Sequence, residues 1–256
     1  MDVKDYIGYV SAEGALFAAA AEQGELDVEI PPCPGWDMRQ LVRHLGMIHL
    51  WAAAIVETGD PRFFEVSDLP DLTEQWPELA AAYPDDPDLV AWYRETLANL
   101  VRVFESTPAD HECPSFLPAP TPLTMWTRRQ ASEIAIHRFD AEMSRGITSN
   151  FDPQFATDML DELLSGFAPR QREIVVDGER VLHVHADDVD GHWWLTIGPE
   201  GIETSHDGGA ADLTITGMAA ELYLTMWNRT PDSTVRLTGD TNLMDLWHHT
   251  CRVRWS

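Results

Sequence analysis

Four stretches of the chain place apolar residues at helical spacing, each over about twenty residues. They cover residues 2–23, 37–58, 88–106 and 123–145. Asp37 stands where a helix N-cap is expected, and Gly146 follows the fourth stretch, where a helix is expected to end. Four helices of this length predict an up-down four-helix bundle in the first part of the chain.

After Gly146 the pattern changes. A fifth helix is predicted at residues 151–167, and from about residue 172 apolar and polar residues alternate as in strands. The predicted strands cover residues 181–186, 193–197, 201–205, 212–216 and 234–237. Further helices are predicted at residues 217–228 and 241–248. The sequence therefore predicts an α+β protein of two domains. Residues 1–150 form the helical bundle, and residues 151–256 form a small α+β domain with an antiparallel sheet arranged as a meander.

Composition and charge exclude several classes of partner. A hydrophobic fraction of 44% over 256 residues is that of a globular protein with a core. The net charge of −26 argues against a nucleic-acid or anionic-membrane binder, because like charges repel. No stretch approaches the roughly 20 apolar residues that cross a bilayer, and the N-terminus lacks the pattern of a signal peptide. For the oligomeric state we expect a monomer or a homodimer.

The cysteines indicate a reducing compartment. They are few, odd in number and widely spaced, which is typical of a cytoplasmic protein without a disulfide framework: Cys33, Cys113 and Cys251. Cys33 and Cys113 each precede a proline and lack a second cysteine at the spacing of a zinc thiolate site. We interpret both as structural, or at most as neighbours of a site.

One face of the fourth helix is unusually polar. At helical spacing it aligns Trp126, Arg129, Gln130, Glu133, His137, Asp140 and Ser144. Glu133 and His137 project from adjacent turns, which is how one helix offers two ligands to one metal ion. The same spacing also fits a solvated face with an ordinary Glu–His pair, and spacing alone favours that interpretation.

The second helix supplies a candidate third ligand. His44 lies on its apolar stripe, and His49 lies beside that stripe. In an up-down-up-down bundle the second and fourth helices run parallel. His44 and Glu133 then lie about seven and about eight residues from their helix starts, at nearly the same height. On that assumption His44, Glu133 and His137 can converge on one point inside the bundle.

Histidines also occur in the second domain. His183 and His185 alternate on a predicted strand, and two histidines at this spacing can chelate a metal. The alternation equally fits a solvent-facing strand surface, which we favour. His192 is predicted to be a surface residue with no partner at ligand spacing, and so are His248 and His249.

Five segments resemble one protein family. Residues 33–45, CPGWDMRQLVRHL, resemble the CPGWT-x-x-x-LVxHL entry to the second helix in the mycothiol-dependent maleylpyruvate isomerase family. Residues 133–141, EIAIHRFDA, resemble the E-x-x-x-HR-x-DA helix of the same family. The late segments ADLTI, LYLTMWNR and LTGD, at residues 211–215, 222–229 and 237–240, resemble its second domain. The resemblance implies a DinB-type bundle followed by a sterol-carrier-like domain, with the proline-rich segments 61–86 and 108–122 roofing the site.

The resemblance also implies a chemistry. It points to a zinc ion bound by His44, Glu133 and His137, and it favours His44 over His49. The family uses this zinc to bind the thiol of mycothiol, and a metal-bound thiol ionises readily. Asp140 would orient His137 or act as an acid–base group. Arg229 would come from the second domain to meet a carboxylate of the substrate or cofactor.

Two functions follow as expectations. The first is a zinc- and mycothiol-dependent enzyme that activates a thiol for addition to an electrophilic small molecule. It would act by cis–trans isomerisation, as on maleylpyruvate, or by mycothiol S-transfer. The alternative is a non-catalytic, metal-stabilised bundle that acts as a small-molecule binding module.

Overall fold

The computed structural model describes residues 1–66, 68–172 and 174–251. The chain divides into two compact units, Met1–Ser149, here called the bundle unit, and Asn150–Ser256, here called the sheet unit. No helix among the described residues is both long and apolar enough to span a bilayer.

The bundle unit is built from four long helices and one short one. They are α1 (Val3–Ala21), α2 (Met38–Thr58), α3 (Pro77–Ala80), α4 (Asp86–Ser106) and α5 (Pro122–Ser144). Two 3₁₀ turns, Pro61–Glu65 and Leu69–Leu72, lie with α3 in the connection between α2 and α4. The four long helices match the four predicted ones, so a bundle of four long helices is confirmed.

Local sequence sets where these helices begin and end. Asp37 forms a capping box with Gln40 at the start of α2. Thr121 caps α5 through the Thr124 N–H, ahead of a proline that suits the first helical turn. Gly59 and Gly146 follow α2 and α5 with φ of +66° and +68°, a left-handed conformation that glycine adopts without steric cost.

The directions of α2 and α5 differ from the assumption made from sequence. His44 of α2 meets Glu133 of α5, and seven residues further along α2 the ring of Trp51 lies 5.1 Å from that of Trp126. Residue numbers therefore increase along α2 in the direction in which they decrease along α5, so the two helices are antiparallel. The assumption that they run parallel is wrong.

The long connection after α2 explains this arrangement. Arg39 pairs with Asp86, and Glu57 pairs with Arg102, so α2 and α4 run parallel. Residues 59–85 must therefore carry the chain back along the bundle before α4 begins, as crossover connections do in other bundles. The four long helices run up, down, down and up.

In the part of the sheet unit that the structure describes there are five strands and three helices. The strands are β1 (Arg180–Ala186), β2 (Gly191–Gly198), β3 (Gly201–Ser205), β4 (Leu213–Gly217) and β5 (Arg236–Gly239). The helices are α6 (Pro153–Asp161), α7 (Ala219–Met226) and α8 (Leu243–Thr250). Glu162–Phe167 continues α6 as a π-helical turn, and Ala168–Arg170 and Asp232–Thr234 are 3₁₀ turns.

The sheet is mostly antiparallel, as predicted, but it is not a simple meander. Its strand order is β3-β2-β1-β4-β5, and β4 pairs with β1 in parallel. The chain after β3 crosses back over β2, where the Trp194 indole donates to the Gly209 carbonyl at 3.1 Å. It then joins β1, where the Asp212 N–H donates to the Val181 carbonyl. The strand order therefore includes a crossover that strand periodicity does not encode.

Candidate metal centre

The polar face of α5 lies inside the bundle. Glu133, His137 and Asp140 are 2%, 5% and 0% exposed. The interpretation as a solvated face with an ordinary Glu–His pair is therefore wrong. Polar groups at this depth need partners within the protein, because burying them without partners is costly.

Two of the three predicted ligands converge on one carboxylate oxygen of the third. Oε1 of Glu133 lies 3.1 Å from Nε2 of His44 and 3.3 Å from Nε2 of His137. The two imidazole rings stand almost perpendicular, at 82°, with centroids 5.1 Å apart. His49 does not join this cluster, since its Nδ1 lies 3.2 Å from Oγ1 of Thr96.

Neighbouring groups hold the remaining polar atoms of the cluster. Arg129 donates from Nη2 to Oε2 of Glu133, the oxygen that faces away from the two imidazoles. Oδ2 of Asp140 lies 2.9 Å from Nδ1 of His137 and accepts from Sγ of Cys33 at 3.3 Å. Each ring nitrogen of His137 therefore lies beside a carboxylate: Nε2 beside Glu133, and Nδ1 beside Asp140.

The charges in this cluster follow from burial and contact. Burial opposes ionisation of Glu133, but the Arg129 guanidinium and the two imidazoles hold its pKa well below the usual range. Burial also opposes a charged His137, yet hydrogen bonds with Asp140, Cys33 and Glu133 raise its pKa well above the usual value. For His44 burial dominates, and its pKa is lowered despite Glu133.

This arrangement suits a bound cation. When Nδ1 of His137 donates its hydrogen to Asp140, a neutral ring points the lone pair of Nε2 at the Glu133 carboxylate. A positive charge between them removes that repulsion, and either a proton on His137 or a metal ion supplies it. The donor atoms of His44, Glu133 and His137 all lie within 4.8 Å of one another, so the residues fit a metal ion.

Aromatic residues flank the cluster along the bundle. The Trp36 ring lies 5.1 Å from that of His44. Trp126 lies two helical turns before Glu133, about 10 Å along α5. Phe64 and Phe116, from the two proline-rich connections, pack their rings 6.1 and 5.6 Å from that of Trp126. Both connections therefore reach the helix that carries the cluster.

The structure brings together four of the five residues predicted from sequence. One connected cluster, here called the bundle cluster, contains His44, Glu133, His137 and Asp140. Arg229 belongs to the sheet unit, just beyond α7, where its Nη1 donates to the Trp227 carbonyl at 3.1 Å.

Sequence reasoning gave Arg129 and Cys33 no definite role in the site. Arg129 lies one turn before Glu133, at the spacing of a helical ion pair, so a signal for it was present. Cys33 lies over a hundred residues from Asp140 in the chain, and it was considered only as a possible neighbour of the site. The contact between Cys33 and Asp140 depends on how α2 and the segment before it pack against α5.

Comparison with known proteins identifies the family. The model of the mycothiol maleylpyruvate isomerase N-terminal domain matches residues 9–142, and the model of the corresponding C-terminal domain matches residues 154–246. The chain belongs to the mycothiol maleylpyruvate isomerase family. It is therefore a member of a family of enzymes, and the resemblance noted in the sequence is confirmed.

Solved structures support the fold of this family member. A crystal structure of the mycothiol-dependent maleylpyruvate isomerase matches with a TM-score of 0.66 and 14% identity, covering 100% of this chain and 98% of that one. A histidine-to-alanine mutant of that isomerase matches with the same TM-score and coverage at 13% identity. No curated protein sequence matches the chain. At these identities the likeness establishes the two-domain fold.

Proposed function

We propose that this family member is a zinc- and mycothiol-dependent enzyme that activates a thiol for addition to an electrophilic small molecule. The observation that carries the proposal is the placement of Glu133 Oε1 beside the Nε2 atoms of His44 and His137. Residues 1–150 would be the metal-binding bundle, and residues 151–256 a sterol-carrier-like domain. Membership of the family supports mycothiol as the thiol.

The donor set favours zinc. Two imidazole nitrogens and one carboxylate oxygen are ligands that Zn²⁺ takes in catalytic sites, where the fourth position stays open. Zn²⁺ bound there would favour the thiolate form of a thiol at that open position, and the thiolate is the nucleophilic form.

The protein's own residues would prepare this site. Arg129 engages Oε2 of Glu133, which leaves Oε1 to face the metal. Asp140 accepts from Nδ1 of His137 and so directs Nε2 inwards. Arg229 would hold a carboxylate of the substrate or cofactor through its guanidinium.

Membership of the family supports isomerisation as the reaction type, and S-transfer is a second outcome of the same chemistry. Mycothiol supplies the sulfur that adds to a double bond conjugated with a carbonyl. In isomerisation the sulfur leaves again after rotation about the resulting single bond, so no thiol is consumed. In S-transfer it remains in the product. Asp140 is the acid–base candidate closest to the proposed metal ligands.

Location and assembly are part of the proposal. The three cysteines form no disulfide among the described residues, which supports a reducing cytoplasmic location. Burial raises the pKa of Cys113 to about 11, so this thiol stays protonated at neutral pH and does not compete as a nucleophile. We propose a monomer or homodimer with a small-molecule substrate and no nucleic-acid partner.

Elemental analysis tests the metal. Wild type and His137→Ala are purified in parallel, dialysed against metal-free buffer and compared with His206→Gln, an exposed histidine in the sheet unit. We expect about one zinc per chain in wild type and in the control, and none in His137→Ala. A wild-type protein that holds no zinc after reconstitution would contradict the proposal.

Turnover separates the enzyme from a binding module. The zinc-loaded protein is assayed with maleylpyruvate, with and without mycothiol, following both the isomer ratio and free thiol. Isomerisation that requires mycothiol without consuming it identifies an isomerase, and loss of free thiol identifies a transferase. If zinc removal lowers only the stability, with no turnover and no thiol binding, the non-catalytic alternative is correct.

A further inference from the structure

A second group of metal-binding side chains lies on the sheet unit. His183 and His185 of β1 face the same side of the sheet as His192 and Trp194 of β2. Register pairs His185 with His192 and His183 with Trp194. Leu182, Val184 and Ala186 are buried on the opposite side. We call the four ring side chains the histidine face.

The rings of the histidine face are packed in parallel. Those of His185 and His192 lie 4.1 Å apart at an angle of 10°, and those of His183 and Trp194 lie 4.2 Å apart at 10°. The expectation that His192 has no partner is therefore wrong. The turn between β1 and β2 returns it opposite His185, which a count of residue spacing along one strand does not show.

A carboxylate completes a donor set. Asp190, in the turn before β2, places Oδ1 3.3 Å from Nε2 of His192. One donor atom from each of His185, Asp190 and His192 lies within 4.8 Å of the other two. Asp190 has φ of +53°, a left-handed conformation in which aspartate and asparagine are enriched among non-glycine residues.

The third histidine of this face, His183, supports the same set from outside it. Nε2 of His183 lies 3.0 Å from Nδ1 of His192, so a hydrogen lies between the two rings. When His192 donates that hydrogen, its Nε2 presents a lone pair to the Asp190 carboxylate, and a cation between them removes the repulsion.

We propose that His185, Asp190 and His192 form a second binding site for a divalent transition-metal ion, with His183 as the positioning residue. Two imidazoles and a carboxylate suit Zn²⁺, Cu²⁺ or Ni²⁺. The side chains of His185, His192 and Asp190 are 28%, 33% and 93% exposed, so the ion exchanges with solvent. Tetrahedral Zn–N bonds of about 2.0–2.1 Å require donors to approach to about 3.3 Å, which these exposed side chains can reach.

Calorimetric titration with zinc chloride tests the site in the full-length chain. The metal-free His137→Ala variant, in which the bundle cluster lacks one ligand, is titrated first. It should bind about one equivalent that is lost in His137→Ala combined with His185→Gln or His192→Gln. His206→Gln in the same background is the matched control, because this exposed histidine lies nearby outside the donor set, and it should leave the equivalent unchanged.

His183→Gln separates positioning from ligation. It should keep the stoichiometry of one but weaken binding by about tenfold to a hundredfold, as loss of an outer hydrogen-bond partner does. A parallel titration of wild type with zinc already held in the bundle should show the same added equivalent, so the test does not depend on the folding of His137→Ala. Absence of that equivalent in both proteins overturns the proposal, and so does an equal loss in His206→Gln.

Discussion

At the scale of single residues, the bundle cluster is a set of buried groups that depend on one another. Glu133 stays ionised because Arg129 and two imidazoles outweigh the cost of burial. His137 is held between Glu133 and Asp140. Replacing any one of them leaves a partner buried with its polar atoms less well satisfied, so effects on metal binding and on folding have to be separated.

Asp140→Asn should weaken the metal site without unfolding the bundle. The amide keeps the size of the carboxylate but loses its charge, so it holds Nδ1 of His137 less firmly. We expect zinc affinity to fall by about tenfold to a hundredfold, with kcat reduced to a similar degree. Competition with a chromophoric chelator measures the affinity. Cys33→Ser is the control, because a hydroxyl still donates to Asp140; zinc affinity equal to wild type in Asp140→Asn would contradict the positioning role.

Glu13 on α1 is a second buried charge. It is 6% exposed, and its Oε2 lies 2.7 Å from Nε of Arg138. Nη1 of Arg138 lies 3.7 Å from Oε1 of Glu142. Burial raises the pKa of Glu13 from 4.5 to about 7. The attraction of Arg138 lowers this pKa, and the repulsion of Glu142 raises it, but burial is the largest effect. The folded protein therefore binds a proton that the unfolded chain has already released in this window.

The free energy of unfolding should fall as pH rises from about 4.5 to about 7 because of this proton. The contribution of Glu13 to the free energy of unfolding is fully present below its unfolded-state pKa and is lost as pH rises through its folded-state pKa. The loss amounts to about 3 kcal/mol at most. Urea denaturation of metal-free protein at pH 5 and pH 8 measures it. Glu13→Gln removes the titrating group and should reduce the pH dependence, and an unchanged dependence in that variant would refute this assignment.

At the scale of helices and strands, close approach depends on small residues. A Cβ added to Gly46 of α2 would lie 2.2 Å from the ring of Trp92 on α4. Glycine at this position therefore allows the indole to pack against the α2 backbone. Gly8 of α1 has nothing within 4 Å of such a Cβ, so its missing side chain has no packing role.

Gly46→Ala and Gly8→Ala should have opposite effects on stability. Alanine favours helix over glycine by about 1 kcal/mol at either position. At Gly46 the clash with a rigid buried indole should outweigh this gain and destabilise the bundle by about 1–3 kcal/mol. Gly8→Ala should stabilise it by about 0.5–1 kcal/mol. Thermal unfolding of both variants beside wild type measures the difference, and a destabilising Gly8→Ala would show that the space there is not open.

Element boundaries were predictable from sequence, whereas relative placement was not. Asp37 and Gly146 mark helix ends by local chemistry, and the structure has both where they were expected. The antiparallel pairing of α2 with α5 depends on a crossover connection, and the pairing of His185 with His192 depends on a turn. Contacts such as Cys33 with Asp140 are likewise set by packing between distant segments, which spacing within one element does not encode.

At the scale of the whole molecule, the chain consists of two units with separate candidate chemistry. The bundle cluster is buried, and the histidine face of the sheet unit is partly exposed. Each unit matches its own family domain model, over residues 9–142 and 154–246. A metal held in the bundle should therefore stabilise the bundle unit selectively.

Chelation of dialysed, zinc-loaded protein should lower the melting transition of the bundle unit. A ligand whose free concentration is a hundred times its dissociation constant adds about 2.7 kcal/mol to the free energy of unfolding. For a domain of this size, that raises the melting temperature by at least about 5 °C. Scanning calorimetry measures the transitions, and His137→Ala should show no shift with chelator. A transition that is insensitive to chelator in wild type would argue against a metal ligated in the bundle.

The order of helices in the bundle also bears on how the protein is made. Of its long-helix neighbours, α1 packs most extensively on α5, the last helix of the unit to be synthesised, whereas α2 and α4 can pair earlier. On the ribosome the side of α1 that packs on α5 therefore stays uncovered until residue 144 has emerged. Since Glu133 and His137 arrive on that same helix, a metal ion held by both residues would bind only after α5 has been synthesised.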